Sequence, residues 1–313
     1  MNSKIKAFIQ RISGVDHVIN LQSKNVHQLD ELKVLTAKFI ETNRGKISSI
    51  IDAEFKVFSQ FGDDGIISYL VDHVEIENKT FVEFGVEDYT ESNTRYLLIS
   101  RNWKGLVMDG SESNVNSIKK DTIYWRHDLT ARSAFISVEN VNDLIKKENI
   151  SGNIGLLHID IDGNDFWVWK HLSVVNADIV IVEYNSVFGK DHAITVPYDS
   201  AFVRSNYHYS NLYWGCSLKA LYLLGKEKGY DYVGCNSNGN NAYFIKASKM
   251  NDAISAVSLE EGYVESKFRE SRDKAGKLNY ISGGKRLHEI RDMTVYDTEQ
   301  NKEVKIKELF NLN

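Results

Sequence analysis

Short apolar runs alternate with amphipathic stretches through the middle of the chain, from residue 56 to about residue 248. Near-continuous apolar runs bounded by Gly, Asp or Asn are typical of strands that are buried on both faces of a sheet. The runs that predict strands are 80–84, 105–108, 134–137, 154–159, 178–182, 232–235 and 242–245. The stretches that predict helices are 94–100, 115–120, 141–148, 166–172 and 218–228.

Regular alternation of strand and helix predicts an α/β fold with a doubly wound, mostly parallel sheet. The last two apolar runs are joined by an Asn/Gly turn at 237–240, which indicates an antiparallel hairpin. We therefore expect seven strands, five of them parallel, closed by this terminal hairpin. A long polar segment, 184–214, follows the fifth run; a structureless loop of that size is usually functional or mobile.

The two ends of the chain differ from this core. Residues 1–55 read as helical, with an apolar face at Leu29, Leu32, Leu35, Phe39 and Ile40. We interpret 1–55 as a helical extension that packs on the core or on a second subunit, so that a homodimer is one alternative. Residues 56–248 form the predicted core. The polar residues 249–313 are expected to form a C-terminal extension that covers one edge of it.

Composition narrows the class of protein. The 313 residues are 42% hydrophobic and 11% aromatic, which is enough to fill a core. A net charge of -5 gives no electrostatic basis for nucleic-acid binding. Cys216 and Cys235 lie far apart, without metal-ligand spacing. The sequence shows neither a signal-peptide pattern nor a transmembrane segment, so we expect a soluble cytoplasmic protein that acts on a small molecule.

Ligands of open α/β sheets bind at the carboxyl ends of the strands, so residues just past each run are candidates for a site. After the first run, Gly85 permits a tight turn or close approach to a ligand, and Ser92 or Asn93 can cap the next helix. The second run ends in Asp109, followed by Gly110 and Ser111. An acid there can accept the ribose hydroxyls of an adenosine-type cofactor; alternatively, Asp109 only caps a helix.

Carboxylates are concentrated at the ends of the fourth and fifth runs. Asp160 and Asp162 alternate onto the same side, and Asp165 can cap the following helix. Glu183 and Asn185 end the fifth run, and adjacent strand ends bring them near the aspartates. This oxygen-rich group suits Mg²⁺ or Mn²⁺, with Asp160 and Glu183 as ligands. Alternatively, the carboxylates position and deprotonate an acceptor hydroxyl without metal.

Several of these strings resemble the FkbM-type class of S-adenosylmethionine-dependent methyltransferases. Within that class, the resemblance is to bacterial proteins associated with surface-polysaccharide genes. The most specific is the run 158–165 followed by Phe-Trp-Val-Trp-Lys at 166–170. The other segments that carry the resemblance are 58–65, 83–85, 109–111, 182–185, 196–199 and 239–242. Together they extend over about two thirds of the chain. The resemblance implies a Rossmann-like, class I methyltransferase sheet.

For the cofactor, the resemblance implies that Glu83 and Gly85 contact the methionine portion of S-adenosylmethionine and Asp109 its ribose. Ser59 or Gln60 would approach the carboxylate of the cofactor. One departure from the family pattern matters. Many such enzymes have a second glycine two positions after the first, and this chain has Glu87 there.

For the acceptor, the resemblance implies that Asp160, Asp162 and Glu183 form the acceptor or metal site, with Asn185 and Tyr198 as substrate contacts. The expected activity is O-methylation of a sugar hydroxyl, on a nucleotide-activated sugar or a capsular polysaccharide building block. A sugar hydroxyl is a very weak acid, so the acceptor site needs a base or a cation. We expect segment 184–214 to act as a lid.

Two histidines are further candidates. His158 lies two residues before Asp160 and shares its face, so it is a candidate base; a structural role is the alternative. His208 lies among tyrosines and is a candidate contact of a sugar ring, with plain packing as the alternative.

Basic residues near the C-terminus suggest a second contact. Arg269, Arg272, Lys285 and Arg286 surround the glycine pair at 283–284. Such a cluster can clamp the diphosphate of a nucleotide-linked sugar, or it can form an ordinary solvated face.

Two other functions compete with methyl transfer. A non-catalytic protein that binds a cofactor or sugar nucleotide would keep the same core, and Glu87 favours it slightly. A nicotinamide-dependent dehydrogenase is the weaker rival, because the glycine turn lacks the G-x-G-x-x-G spacing.

Overall fold

The computed structural model describes residues 3–267 and 270–312. Its strands are β1 (Thr80–Phe84), β2 (Lys104–Asp109), β3 (Leu129–Ser133), β4 (Gly152–Ile159), β5 (Val175–Glu183), β6 (Ile194–Thr195), β7 (Tyr230–Cys235), β8 (Asn241–Lys246), β9 (Thr294–Asp297) and β10 (Lys302–Lys305). Its α-helices are α1 (Ser3–Thr42), α2 (Asp63–His73), α3 (Arg95–Arg101), α4 (Glu112–Lys120), α5 (Thr122–Arg126), α6 (Val141–Lys147), α7 (Asp165–His171), α8 (Arg204–Tyr207), α9 (Leu218–Glu227), α10 (Leu259–Gly262), α11 (Gly284–Glu289) and α12 (Ile306–Leu309).

The main sheet has the strand order β3-β2-β1-β4-β5-β8-β7. Every pair is parallel except β5 with β8 and β8 with β7. This confirms the predicted doubly wound, mostly parallel seven-stranded sheet with an antiparallel terminal hairpin, which is the Rossmann-like methyltransferase layout. The order of the strands reverses between β1 and β4, and a crevice opens at such a point, at the carboxyl ends of the strands.

Helices cover both faces of the sheet because successive side chains of each central strand point to opposite faces. On β1, Val82 and Phe84 pack with residues of α6, α7 and α9, including the fully buried Trp169. Phe81 points the other way, into a second cluster with α2, α3 and α4, including Leu97. Burying each such side chain stabilises the fold by roughly 1.5–3 kcal/mol, which anchors the strand ends that carry the site.

The third strand is not where the apolar pattern predicts it. The run 134–137 lies beyond the sheet, and the strand is Leu129–Ser133. As an edge strand, β3 is buried at Leu129 and Ala131 and exposed at Arg132 and Ser133. Its sequence therefore alternates, and the criterion of a continuous apolar run misses it.

Segment 184–214 is also more ordered than a structureless loop. It contains β6 and α8, and β6 pairs with β9 in a second sheet of order β10-β9-β6. Phe188, Phe202 and Trp214 from this segment pack with Val295 and Ile306 from the C-terminal residues. The C-terminal residues and segment 184–214 thus share a hydrophobic cluster that is separate from the two clusters on the faces of the main sheet.

The chain divides into two compact units, 1–45 and 46–313. The first consists mainly of α1, on which Leu29, Leu32, Leu35, Phe39 and Ile40 are exposed. The predicted boundaries at residues 55 and 248 and the homodimer stay predictions. None of the described helices is long and apolar enough to cross a membrane.

Candidate functional site

A cavity of about 470 Å³ lies at the carboxyl ends of the strands where their order reverses. This volume is in the range of small-molecule sites, roughly 300–1,000 Å³. The predicted site residues that line it are Gln60, Glu83, Gly85, Asn93, Asp109, Gly110, His158, Asp160, Asp162, Glu183 and Asn185. The structure therefore brings together residues that are separated by more than 100 positions in the chain.

Gly85 brings the loops after β1 and β4 into contact. Its φ is 75°, and a Cβ atom built on it would lie 1.6 Å from the carbonyl oxygen of Asp160. No side chain fits there without moving the Asp160 backbone. The position of the missing second glycine, Glu87, still has a left-handed φ of 48°. The chain thus keeps the turn although it lacks the glycine, and Glu87 itself lines the cavity.

Glu83 is buried, and its carboxylate is fully committed to protein donors. It accepts hydrogen bonds from the Ser92 hydroxyl (2.7 Å), from the backbone N–H of Asn93 (3.0 Å) and from both the N–H and the hydroxyl of Thr94. Burial opposes its ionisation, but the hydrogen bond and charge of His158 and the two hydroxyls outweigh burial. The pKa of Glu83 therefore lies below its ordinary value.

His158 lies directly opposite Glu83 in the parallel register of β1 and β4. Its Nδ1 is 2.9 Å from Glu83 Oε1, and its Nε2 is 3.1 Å from Asn93 Nδ2. Burial lowers the pKa of His158 and Glu83 raises it, and the net shift is upward. Because both ring nitrogens have protein partners and the side chain is buried, the present arrangement leaves no nitrogen of His158 for an acceptor.

Asp109 ends β2 and accepts three hydrogen bonds from the protein. Oδ2 accepts from the N–H of Glu87 (2.8 Å), and Oδ1 accepts from the N–H of Ser111 (2.8 Å) and from Asn114 Nδ2 (3.1 Å). A carboxylate has roughly four acceptor positions. One position on Oδ2 is therefore left for a ligand, which fits one ribose hydroxyl rather than the two that the sequence suggested.

Asp160 and Glu183 form a carboxyl pair on the other side of the cavity, within hydrogen-bonding reach of each other. Burial and the nearby Asp162 raise the pKa of Asp160 to about 6. Burial and the charges of Asp160 and Asp162 raise the pKa of Glu183 well above its ordinary value. Glu183 Oε2 is buried and has no hydrogen-bond partner. Burial and mutual repulsion therefore both favour the protonated form of these two carboxyl groups.

Asp162 is more exposed than this pair and is bound by Arg204, whose Nη1 lies 2.8 Å from Asp162 Oδ1. Asp165 is fully buried and accepts from the N–H groups of Ile161 and Gly163, so it braces the loop after β4. The helix α7 begins at Asp165 and its N-cap is Asn164, so the prediction that Asp165 caps this helix is wrong.

The residues around the predicted metal ligands do not fit a divalent cation. In residues 3–267 and 270–312, no three His, Cys, Asp or Glu side chains are grouped so that they can hold a metal ion. Asp160 and Glu183 supply two carboxyl groups that contact each other instead. We therefore derive no role for Mg²⁺ or Mn²⁺ at this pair.

Five predicted contacts do not line the cavity: Ser59, Ser111, Tyr198, His208 and Arg272. Ser59 is buried and its hydroxyl donates to Asp64, which also accepts from three backbone N–H groups of 57–59. Ser111 caps α4.

The remaining three face other partners. Tyr198 donates to Glu139, and His208 Nδ1 lies 2.7 Å from the hydroxyl of Ser210. Arg272 pairs with Glu270. Arg269 lies outside the described residues. Of the four basic residues considered as a diphosphate clamp, Arg286 is the one that lines the cavity among those described.

Asn185 lines the cavity, but its side chain holds the polypeptide of segment 184–214. Its Nδ2 donates to the carbonyl oxygens of Leu212 and Trp214 at 2.9 Å, and its Oδ1 accepts from the N–H of Val187. This places Trp214 at the cavity wall. The side chain of Asn185 is thus positioned to shape the site rather than to bind a ligand.

Sequence reasoning missed several cavity residues. Phe135 is half-exposed at the cavity and was assigned to a strand. Arg204 lies over the Trp214 ring, 4.6 Å from its centroid, and both line the cavity. Asn164 also lines it, although only its aspartate neighbours were predicted to do so. For Arg204, Trp214 and Asn164 the available signal was their position in the predicted functional segments 158–165 and 184–214.

No protein-family model and no curated protein matches the chain. Among solved structures it is similar to the N-terminal domain of EvdMO1 with SAH bound, at 12% identity over 69% of this chain and 94% of that one (TM-score 0.40). It is also similar to an O-methyltransferase from Bacillus cereus in complex with SAH, at 12% identity over 69% and 100% (TM-score 0.38). A third is an S-adenosylmethionine-dependent methyltransferase from Clostridium acetobutylicum, at 11% identity over 58% and 88% (TM-score 0.37). Because these TM-scores are low, the fold assignment rests on the strand order of the sheet.

Proposed function

We propose that this chain is an S-adenosylmethionine-dependent O-methyltransferase that acts on a sugar hydroxyl. The observation that carries the proposal is the division of one cavity into two chemically different halves. Gly85 and Asp109 border one half, where the carboxylates are held by protein donors. Asp160 and Glu183 border the other half, where burial raises the pKa values of two neighbouring carboxyl groups and a Glu183 oxygen lacks a partner.

The first half suits the cofactor. Gly85 lets the loop after β1 pass close to the Asp160 backbone at the wall of the cavity, the remaining position of Asp109 Oδ2 suits a ribose hydroxyl, and the exposed ring of Phe135 can pack on a purine. When bound, S-adenosylmethionine supplies an electrophilic methyl group that is exchanged for the proton of the acceptor hydroxyl, leaving S-adenosylhomocysteine.

The second half suits the acceptor. The ionised carboxylate of the Asp160–Glu183 pair takes the proton of the acceptor hydroxyl, since a base with a pKa near 6 is ionised at neutral pH yet binds a proton readily. Asp162 and Arg204 close one side of this half by their ion pair. Trp214 offers an aromatic face against which a sugar ring can pack. On the sequence resemblance, we place the acceptor among surface-polysaccharide building blocks.

The test is transfer of a labelled methyl group from S-adenosylmethionine to a panel of free, nucleotide-linked and oligomeric sugars. We expect label in at least one sugar without added metal, and a product that resists mild acid as a methyl ether does. Binding of SAH without transfer to any sugar hydroxyl would instead favour a non-catalytic cofactor-binding protein.

A further inference from the structure

The acceptor half of the cavity contains more hydrogen-bond acceptors than the protein satisfies. Asn164, Glu183 and Asn241 line it, and each has a buried side-chain oxygen without a hydrogen-bond partner. The three residues come from the loop after β4, the end of β5 and the start of β8, which are neighbours in the sheet. Unsatisfied buried acceptors are costly, so a ligand that donates hydrogen bonds here is strongly favoured.

The orientation of the two amides is fixed by the groups that their nitrogens contact. Asn164 Nδ2 donates to the carbonyl oxygen of Asp199 at 2.8 Å, and Asn241 Nδ2 donates to Asp63 Oδ1 at 2.9 Å. Both partners accept and cannot donate in these contacts. The amide oxygens are therefore the atoms left without partners, and the ligand must supply donors to them.

Charge adds a second, independent constraint. Eight carboxyl side chains and two arginines, Arg204 and Arg286, line the cavity in the part of the chain that the structure describes. Each arginine already contacts a carboxylate: Arg204 lies 2.8 Å from Asp162, and Arg286 lies 3.3 Å from Glu265. A phosphorylated acceptor would bring more negative charge into this surplus, whereas a cation would relieve it.

From these two observations we infer that the acceptor is a polyhydroxylated molecule with a protonated amine, as in an amino sugar. The inference rests on the proposed function and specifies its substrate class. The ammonium group donates to the Asp160–Glu183 pair, and the oxygens of Asn164 and Asn241 are left for the hydroxyl donors of the same molecule. Its proton keeps the amine from acting as a nucleophile, so a neighbouring hydroxyl is the group that is methylated.

Calorimetry on the full-length protein saturated with SAH tests the inference without requiring turnover. The probes are the positional amino-deoxy isomers of glucose and galactose, each beside its parent sugar and its phosphate ester. We expect at least one amino sugar to bind about tenfold tighter than its parent, as a charge-assisted hydrogen bond to the buried Asp160–Glu183 carboxyl pair contributes. Equal binding of parent and amino sugars, tighter binding of the phosphates, or no binding by any amino sugar would overturn it.

A matched pair of variants locates the preference. Glu183→Gln keeps the shape of the side chain and removes one of the two carboxyl groups of the Asp160–Glu183 pair, so the preference for the amine should fall to about threefold or less. Glu227→Gln removes an exposed carboxylate that does not line the cavity and should leave the preference unchanged. A preference that survives Glu183→Gln would also refute the assignment.

The two proposals fail in different ways. If SAH does not bind, the proposed function is wrong. If SAH binds and the methyl group is transferred to neutral or phosphorylated sugars as well as to amino sugars, the proposed function stands and the cationic acceptor is wrong.

Discussion

Glu83 and Glu183 are the same residue type, lie at the carboxyl ends of β1 and β5, and border the same cavity. Glu83 accepts hydrogen bonds from four residues and has a lowered pKa. Glu183 has a buried oxygen without a partner and a raised pKa. The difference shows that the position of an acid at a strand end does not determine its role. What determines the role is the number of hydrogen-bond donors that face the carboxyl group.

The largest expected effect is on turnover, and it concerns the side of the cavity that Asp160 and Glu183 border. Asp160→Asn removes the base from the carboxyl pair, so kcat should fall by roughly 10²- to 10⁴-fold while the affinity for SAH is unchanged. Single-turnover transfer to the best acceptor measures the first quantity and calorimetry the second. Wild-type kcat in Asp160→Asn would remove this residue from the mechanism.

The next largest effect is on the free energy of unfolding, and it concerns Glu83, whose carboxylate accepts hydrogen bonds from four residues. Glu83→Gln breaks a buried pair with His158 and leaves donors facing an amide, so the free energy of unfolding should fall by about 3–5 kcal/mol. Glu183→Gln is the matched control. It should lower the free energy of unfolding only slightly, because no protein N–H or O–H donates to Glu183 Oε2. Urea unfolding of both variants gives the comparison. Equal losses in the two variants would contradict the distinction between these acids.

The turn that joins the two halves provides a third test. Gly85→Ala combines a left-handed φ with a clash against the Asp160 carbonyl, and we expect a loss of about 2–5 kcal/mol. Gly229→Ala, just after α9, is the control: its φ is 82° and no atom lies within 4 Å of the added methyl group. It should cost about 1–2 kcal/mol. If the two variants lose the same free energy, the close contact of the loops is not maintained in solution.

The smallest expected effect is a gain in the stability of the fold that depends on pH. The folded pKa of Asp160, about 6, lies above its ordinary value of 3.8, so the protonated carboxyl stabilises the fold at low pH and this contribution is lost as pH rises through about 6. Asp160→Asn should therefore raise stability by on the order of 1 kcal/mol at about pH 8, seen as a higher Tm, and leave it unchanged at about pH 4. A gain that grows toward low pH would have the wrong sign.

Sequence patterns predicted the layout of the sheet better than the partners of the side chains. The central strands are apolar on both faces, so they stand out, whereas β3 alternates as an edge strand and was placed at 134–137. Strand ends correctly indicated that Gly85, Asp109, Asp160 and Glu183 border one cavity.

What the patterns could not give is the set of hydrogen bonds around each group. His158 looked free to act as a base because its partners, Glu83 and Asn93, are 75 and 65 positions away. Tyr198 looked available because Glu139 comes from another part of the chain. Such long-range contacts exist only after the sheet has formed, so local spacing does not reveal them.

The central claim is that the cofactor lies on the Asp109 side of the cavity and the acceptor on the Glu183 side. Calorimetric titration of SAH into the wild-type protein, Asp109→Asn and Glu183→Gln tests it most directly. We predict that the wild type binds, that Asp109→Asn weakens binding about tenfold or more through loss of the charge-assisted hydrogen bond, and that Glu183→Gln binds as the wild type does. Absence of SAH binding, or weaker binding in Glu183→Gln than in Asp109→Asn, would contradict the claim.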